Sequence, residues 1–427
     1  MKIYLIGIKG SGMSALANIL LDDGYQVRGS DCSNFMNSQI NLMKRNVIID
    51  PIDAKEFYHA DLIIVGHQFY QDELINELKK NQLVFFEYNE FLSLYLNQNK
   101  LISICGSHGK TTLVKMLFDS FDGSSYLCGD GSSCKKENEL FFFLESCEYK
   151  RHFLKYNPKE IIITNIEIDH TDYYKDENDY ISAYQEFIKK ADVIYCLENE
   201  KEKLTHEKII TCGLNNKAEF YFSYQEKKDY LVIDFYHNDQ FIESFNYPIV
   251  PNKFLELLCL NLTFYYCHNF DIKMVVNNIK NFKMPHQRFN ETSYLNSVII
   301  EDYCHHPSQI EYNLEKLNLY YHNYKKVGIF RPDRTSRLIY FKEKFKEILS
   351  HYDYAFVLPL SNTEELNGHS SKELVNQKII YVDKIEKIWN YLENKKDNYV
   401  FSLMSSKDLK KEVEALKNQI NVNNLNK

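Results

Sequence analysis

Apolar and polar positions alternate along this chain in three regimes. Over residues 1 to about 99, short apolar runs such as "KIYLIGI", "DLIIVGH" and "LVFFE", with "YQVRGSD" as a further strand, are set apart by segments of helical spacing. Those segments are "SGMSALANILLDDG", "QDELINELKKN" and "YNEFLSLYL", and Gly24 is placed to stop the first of them. Continuous apolar strands separated by helices predict a parallel sheet covered on both faces.

The second regime opens with "KLISIC" and continues through "ELFFFLES", "EIIITNIEIDH", the helix "NDYISAYQEFIKKA" and the strand "DVIYCLE". "AEFYFSY", "YLVIDFYHN" and "QFIESFNYP" then follow closely, joined by turn-type residues, and predict an antiparallel meander appended to the sheet. "NKFLELLCLNLTFYYCHN" returns to helix. From about 292 the alternation resumes in "SVIIEDY", "KKVGIFRP", "YAFVLPL", "KIIYVD" and "NYVFSLM", which predicts a second doubly wound arrangement. The polar tail "NQINVNNLNK" is expected to fray. The pattern therefore predicts an α/β protein of three domains, spanning 1–99, 100–291 and 292–427.

Composition agrees with this division and narrows the function classes. A chain of 427 residues accommodates three domains at roughly 150 residues each. The 44% hydrophobic content is that of a globular protein, and no run approaches the roughly 18 apolar residues of a membrane span. The N-terminal apolar stretch is interrupted by Gly7, Gly10 and Gly12 and lacks a small-residue cleavage site, so no signal peptide is expected. The ten cysteines form no C-x-x-C pair, which supports neither zinc nor a disulfide framework and fits a reducing, cytoplasmic setting. A net charge of −8 without a long basic stripe argues against a nucleic-acid partner.

The chemistry-bearing residues gather at strand ends. In "ICGSHGKTTLVKML", strand, glycine, Gly-Lys-Thr and helix come in the order of a phosphate-cradling loop. The usual G-x-x-x-x-G-K-[ST] spacing is not met, because Ile104 stands where its first glycine belongs. Backbone N–H groups of Gly106, Ser107, His108 and Gly109 could face phosphate oxygens, Lys110 could neutralise the terminal phosphates, and a Thr111 or Thr112 hydroxyl could ligate Mg²⁺. "FFFLESCEYKRHF" ends an aromatic strand in Glu145 and Glu148, where a Mg²⁺ ligand belongs in an open α/β sheet. "TNIEIDHTDYY" crowds Asn165, Glu167, Asp169, His170 and Asp172 at another strand end.

Arg288 in "MPHQRFNET" is a candidate for charge stabilisation near a transferring phosphoryl group. Asp302, His305 and His306 end a later strand, and Arg334 and Arg337 open a helix three residues apart, where both could reach one carboxylate. The N-terminal "GIKGSGM" places Gly10, Ser11, Gly12 and Met13 at a helix start able to hold a diphosphate, with Asp31 positioned for ribose hydroxyls. By itself that signal would suit a dinucleotide dehydrogenase equally well, but such a reading leaves the other motifs unexplained.

Taken in order, "GIKGSGMSALA", "GSHGKTT", "LESCEYKRHF", "TNIEIDHTDYY", "QRF", "EDYCHHP" and "RPDRTSR" resemble the Mur ligase family along the whole chain. Its G-[ST]-x-G-K-[ST]-[ST] loop accounts for the unusual spacing. The resemblance implies a Rossmann-like N-terminal domain for a UDP-sugar, a central P-loop ATPase with a mixed sheet, and a Rossmann-like C-terminal domain. It implies an ATP- and Mg²⁺-dependent ligase that activates a carboxylate as an acyl phosphate and captures it with an amino acid. "EDYCHHP" and the arginine pair point, by resemblance, to UDP-N-acetylmuramate and L-alanine as substrates.

By the same resemblance Lys110 meets the β/γ-phosphates, Thr111 and Glu145 hold Mg²⁺, and His170 serves a second metal or the γ-phosphate. Arg288 stabilises transferred charge, while Asp302, Tyr303 and His305 shape the nucleotide and amino-acid site. Arg334 and Arg337 grip the amino-acid carboxylate, and Gly10–Met13, Asp31 and His67 surround the UDP-sugar. The chain departs from the family pattern at Lys253 and Glu256, where asparagines are usual, at Asp333 in place of a common histidine, and in "LMSSKDL". The alternatives are a recycling ligase that attaches a tripeptide to the same sugar nucleotide, and a binding protein that has lost turnover.

Overall fold

The computed structural model describes residues 1–285, 289–360, 368–392 and 397–425. These form three sheets, and the chain divides into two compact units. The first unit carries two of the sheets. The second carries the remaining sheet together with the short segments 168–176 and 248–255.

In the N-terminal sheet, β1 (Lys2–Ile6), β2 (Gln26–Asp31), β3 (Ile48–Pro51), β4 (Leu62–Val65) and β5 (Phe85–Glu87) run parallel in the order β3-β2-β1-β4-β5. The helices between and after them are α1 (Ser11–Asp22), α2 (Gln39–Lys44), α3 (Asp72–Lys80) and α4 (Tyr88–Tyr95). The centre of this layer is closed by Leu5, Ile64, Leu16, Ile19 and Leu20, all fully buried, as continuous apolar strands under helices require.

The central sheet has ten strands: β6 (Leu101–Cys105), β7 (Ser124–Leu127), β8 (Ser133–Cys134), β9 (Phe141–Glu145), β10 (Glu160–Ile163), β11 (Val193–Leu197), β12 (Ile209–Gly213), β13 (Phe220–Glu226), β14 (Leu231–His237) and β15 (Gln240–Tyr247). Their order is β15-β14-β13-β12-β11-β10-β6-β9-β7-β8. The β13–β15 meander is antiparallel, as its alternating pattern predicts, and β8 forms a second antiparallel edge that the sequence pattern does not signal. Helices α5 (Lys110–Ser120), α6 (Glu177–Ile188), α7 (Asn252–Cys267) and α8 (Ile272–Ile279) belong to this part of the chain. The connection after β6 runs past β9 to β7 and the one after β9 runs back past β6 to β10, so the strand order reverses between β6 and β9, which is where open α/β sheets form a ligand crevice.

The third sheet has the order β16-β17-β21-β18-β19-β20, built from β16 (Asn290–Tyr294), β17 (Ser297–Asp302), β18 (Lys325–Phe330), β19 (Tyr354–Val357), β20 (Ile379–Tyr381) and β21 (Tyr399–Met404). It is parallel except for the β16–β17 hairpin. Its helices are α9 (Pro307–Tyr320), α10 (Thr335–Tyr340), α11 (Lys342–Leu349) and α12 (Lys410–Leu425). α12 runs into the polar tail as far as Leu425, with Val413, Leu416 and Ile420 recurring on one buried face of it. No helix among the described residues is long and apolar enough to cross a membrane.

Candidate active site

The loop after β6 is shaped by its two glycines. Gly109, at φ +82°, is the N-cap of α5, a left-handed position that favours glycine. Gly106, at φ +132°, lies so close to β10 that a Cβ would come within 2.2 Å of Thr164 Oγ1. The end of β10 braces the loop. Asn165 accepts N–H groups from the loop through its backbone oxygen (Ser107, 3.2 Å) and its side-chain oxygen (His108, 2.9 Å). Ser107 also accepts the backbone N–H of Glu167 at 2.9 Å. Asn165 thus ties the loop to the end of β10.

Lys110 begins α5 and turns back over the loop, donating to the Gly106 carbonyl and to Glu148 at 3.1 Å. Glu148 is only 1% exposed. Burial alone would push the Lys110 ammonium down, but the nearby charges of Glu148 and Glu145 outweigh it, so the lysine is held charged. Beside it, Thr111 Oγ1 donates to Glu145 Oε2 at 2.9 Å, and the same oxygen accepts the Gly129 N–H at 2.9 Å. A hydroxyl and a carboxylate meeting at the mouth of a phosphate loop are hard oxygen donors of the kind Mg²⁺ takes. The residues present therefore fit that ion. Thr112 is buried in α5 behind them.

The first glycine loop leads into α1, whose N-cap is Gly10 and whose start carries no side-chain cap. The backbone N–H groups of a helix start with no side-chain cap suit a phosphate. Ser11 and Gly12 open the helix and Met13 is buried in its first turn. Asp31, expected at the ribose hydroxyls, ends β2. Its carboxylate is buried and accepts the backbone N–H groups of Lys9 and Cys32, each at 2.7 Å, so it braces the glycine loop. His67, just after β4, is exposed, and its ring lies 4.7 Å from that of His152. Burial, then the His67 charge, lowers the His152 pKa to about 4, while burial and Lys150 lower that of His67, which leaves both rings neutral at pH 7.

In the second unit the residues from 169 onward meet those after β17 and β18. Arg337 is buried and donates from Nε and Nη2 to the two oxygens of Asp169 (2.7 and 3.2 Å) and from Nη1 to Asp333 (3.0 Å). Asp333 also accepts the Ser406 hydroxyl at 2.7 Å. The forked guanidinium is thereby saturated along the edges a substrate carboxylate would use. Burial alone would raise the Asp169 pKa, but His305 and Arg337 hold it well below the ordinary carboxylate range. His305, also buried, lies 3.7 Å from Asp169, and burial together with Arg337 lowers its pKa. Arg334 is more exposed and pairs with Asp172 at 2.9 Å.

Asp302, expected to touch nucleotide, is buried at the end of β17. One of its oxygens accepts the Phe289 N–H (3.0 Å), and the other takes Asn313 Nδ2 (2.9 Å) and Lys316 Nζ (3.2 Å). His306 caps α9 through Ser308 and Gln309. His170, at φ +54°, follows Asp169, whose carboxylate accepts its N–H at 2.6 Å. Arg288 lies outside the described residues. The structure therefore brings Lys110, Thr111 and Glu145 together in one unit, and Asp169, His305, Arg334 and Arg337 in the other.

Sequence reasoning gave no role to Glu148 as the partner of Lys110, although its place in the acidic strand end was visible, and it missed Asp333 as the second partner of Arg337. The i, i+4 spacing of Asp333 and Arg337 on a helix start was the signal for the latter.

The description "Mur ligase family, catalytic domain" matches residues 2–100, and "Mur ligase middle domain" matches residues 132–256. Among solved structures the fold is similar to a UDP-N-acetylmuramate–alanine ligase from Thermotoga maritima, at a TM-score of 0.79 and 21% identity, covering 100% of both chains. It is also similar to a murein peptide ligase from Psychrobacter arcticus (TM-score 0.71, 17% identity, 98% of this chain and 99% of that one). A MurF ligase from Thermotoga maritima, solved in complex with ADP, gives a TM-score of 0.63 at 15% identity over 93% of this chain and 95% of that one. With both domains matched in chain order and the three-sheet fold followed from end to end, the chain belongs to the Mur ligase family of ATP-dependent ligases.

Proposed function

We propose that this ligase joins L-alanine to the lactyl carboxylate of UDP-N-acetylmuramate, a step of peptidoglycan precursor synthesis, using ATP and Mg²⁺. The observation that carries the reading is the meeting of Thr111 and Glu145 at 2.9 Å beside Lys110, at the mouth of the phosphate loop. The arrangement supplies fixed charge where a γ-phosphoryl group leaves ADP. The choice of alanine rests on "EDYCHHP" and the arginines of "RPDRTSR".

In this reading the loop from Gly106 to Gly109 holds the phosphates, its Ser107 and His108 N–H groups exchanging Asn165 for phosphate oxygens, and Lys110 exchanges Glu148 for the β/γ-phosphates of ATP. Thr111 and Glu145, with His170 for a second ion, would hold Mg²⁺, which supplies charge neutralisation on the phosphates. A lactyl carboxylate oxygen attacks the γ-phosphorus and ADP departs, leaving an acyl phosphate. The alanine nitrogen then attacks the acyl carbon, phosphate leaves with the former carboxylate oxygen, and the nitrogen gives up its surplus protons. We assign the alanine carboxylate to Arg334, with Arg337 positioning Asp169 and Asp333 around it. Arg288 remains our candidate for countering transferred charge. Gly10 to Met13 receive the UDP diphosphate, with His67 nearby. The three modules are taken as 1–99, 100–291 and 292–427.

Phosphate release tests the proposal. Purified protein with UDP-N-acetylmuramate, ATP and Mg²⁺ is expected to release phosphate when L-alanine is added, and hydroxylamine in its place is expected to trap the activated acyl group as a hydroxamate. Release only with the L-alanyl tripeptide would assign the chain to recycling. No release with any nucleotide would make it a binding protein.

A further inference from the structure

We infer that Tyr88 positions the sugar-acid end of the sugar nucleotide, its hydroxyl donating a hydrogen bond to that group between the start of α1 and Glu145. The inference rests on the proposed function and extends it to a residue that no sequence motif marks.

Tyr88 is the first residue of α4, and its backbone is fixed from both sides. Glu87, the N-cap, is buried and accepts the Asn89 and Glu90 N–H groups at 3.0 and 3.3 Å, and Lys155 anchors it from the central module at 2.7 Å. Asn89, also buried, donates to Glu87 at 3.0 Å and accepts the Tyr156 hydroxyl at 2.7 Å. Two buried residues, each tied to the segment after β9, thus bracket one partly buried phenol. That is how a rigid scaffold aims a side chain.

The ring points at the first glycine loop. A Cβ on Gly12 would lie 2.8 Å from the Tyr88 hydroxyl oxygen and 3.0 Å from Cζ, so the second residue of α1 is kept bare to admit the phenol. On the other side the hydroxyl is within electrostatic reach of Glu145 and Cys147. The Tyr88 hydroxyl makes no hydrogen bond among the described residues. Burial, then the neighbouring Glu87 and Glu145 charges, raises its pKa, so the phenol stays protonated and acts as a donor.

A ligand with its diphosphate on the α1 start and a carboxylate awaiting phosphorylation beside Glu145 must pass this hydroxyl. The group lying there is the muramic sugar with its lactyl carboxylate. UDP alone ends before reaching it.

The test is calorimetric binding of UDP-N-acetylmuramate and of UDP to wild type and to Tyr88→Phe, alongside the KM for ATP. Tyr88→Phe is expected to weaken UDP-N-acetylmuramate about tenfold, the loss of one hydrogen bond to a charged group, while UDP affinity and the ATP KM stay within about twofold. A structural role alone would shift UDP as well, so equal losses for both ligands would overturn the inference. Unchanged UDP-N-acetylmuramate binding in Tyr88→Phe would overturn it too, while leaving the proposed function standing. If wild type itself binds UDP but not UDP-N-acetylmuramate, the proposed function fails and this inference falls with it. Tyr88→Leu, which keeps an apolar side chain at the position but removes the hydroxyl, should match Tyr88→Phe in its selectivity for the muramyl ligand.

Discussion

Lys110 has two roles that single substitutions confuse. It is the cation for the terminal phosphates, and it is also the neighbour of Glu148, a carboxylate only 1% exposed. Lys110→Ala is therefore expected to lower kcat by about a thousandfold and also to cost about 3 kcal/mol of stability, read from the urea midpoint. Adding Glu148→Gln should restore most of the stability and none of the turnover. Recovery of both would mean that Lys110 acts only through the fold. The arginines separate in the same way. Arg337→Met leaves Asp169 and Asp333 buried without their shared partner and should cost about 3–5 kcal/mol. Arg334→Ala, at a pair that is partly exposed on both sides, should change stability by less than about 1 kcal/mol. Its effect is expected in the KM for alanine, measured at saturating ATP. An unchanged KM would remove Arg334 from the amino-acid site.

Among the elements, α7 is tied to the start of β10 by His268. Its Nε2 lies 3.1 Å from Glu160 Oε1 and its Nδ1 lies 2.8 Å from the Phe264 carbonyl. Burial alone would lower the pKa of this histidine, but the hydrogen bond and charge of Glu160 outweigh burial and raise it above its ordinary value. Because the folded pKa is raised, the protonated form stabilises the fold fully below the unfolded pKa of about 6.5, and that contribution is lost as pH rises through the folded pKa. The stability gap between wild type and His268→Gln should therefore be wider at pH 5.5 than at pH 8.5, measured by urea unfolding. A gap that grows with pH would contradict the pairing. The elements also show why some strands escaped the sequence pattern. β16 reads "NETSY", without an apolar alternation, and is a strand because its edge pairs with the buried β17. α12 extends into polar sequence because three spaced apolar residues find a core to bury against.

Over the whole molecule, ligands that bind only the folded state report on the proposal without any turnover. UDP-N-acetylmuramate at about a hundred times its Kd should add about 2.7 kcal/mol to unfolding, and ATP with Mg²⁺ should do so independently if its site forms. A thermal shift with ATP and Mg²⁺ that disappears in Lys110→Ala with Glu148→Gln would locate that site at the phosphate loop. A shift that persists would place the nucleotide elsewhere.

Local sequence determined much of this protein. Runs of four to six apolar residues set most of the strands, the alternation in β13–β15 set their antiparallel pairing, and Gly106, Gly109 and Lys110 specified a phosphate loop, because backbone conformation and charge at a helix start depend on near neighbours. Tertiary structure decided which candidates are exposed to a ligand and which are spent on the fold. Arg337 and Asp169 stand 168 residues apart, and only folding makes the arginine the centre of a buried ion pair. Asp31 and Asp302 read as ligand contacts at strand ends, and only the fold shows that their oxygens accept N–H groups from other segments. Tyr88 carries no motif and gains its meaning from facing Gly12, 76 positions earlier by the numbering. Partners of buried polar groups are fixed by long-range packing, and that information is not present in any short stretch of the chain.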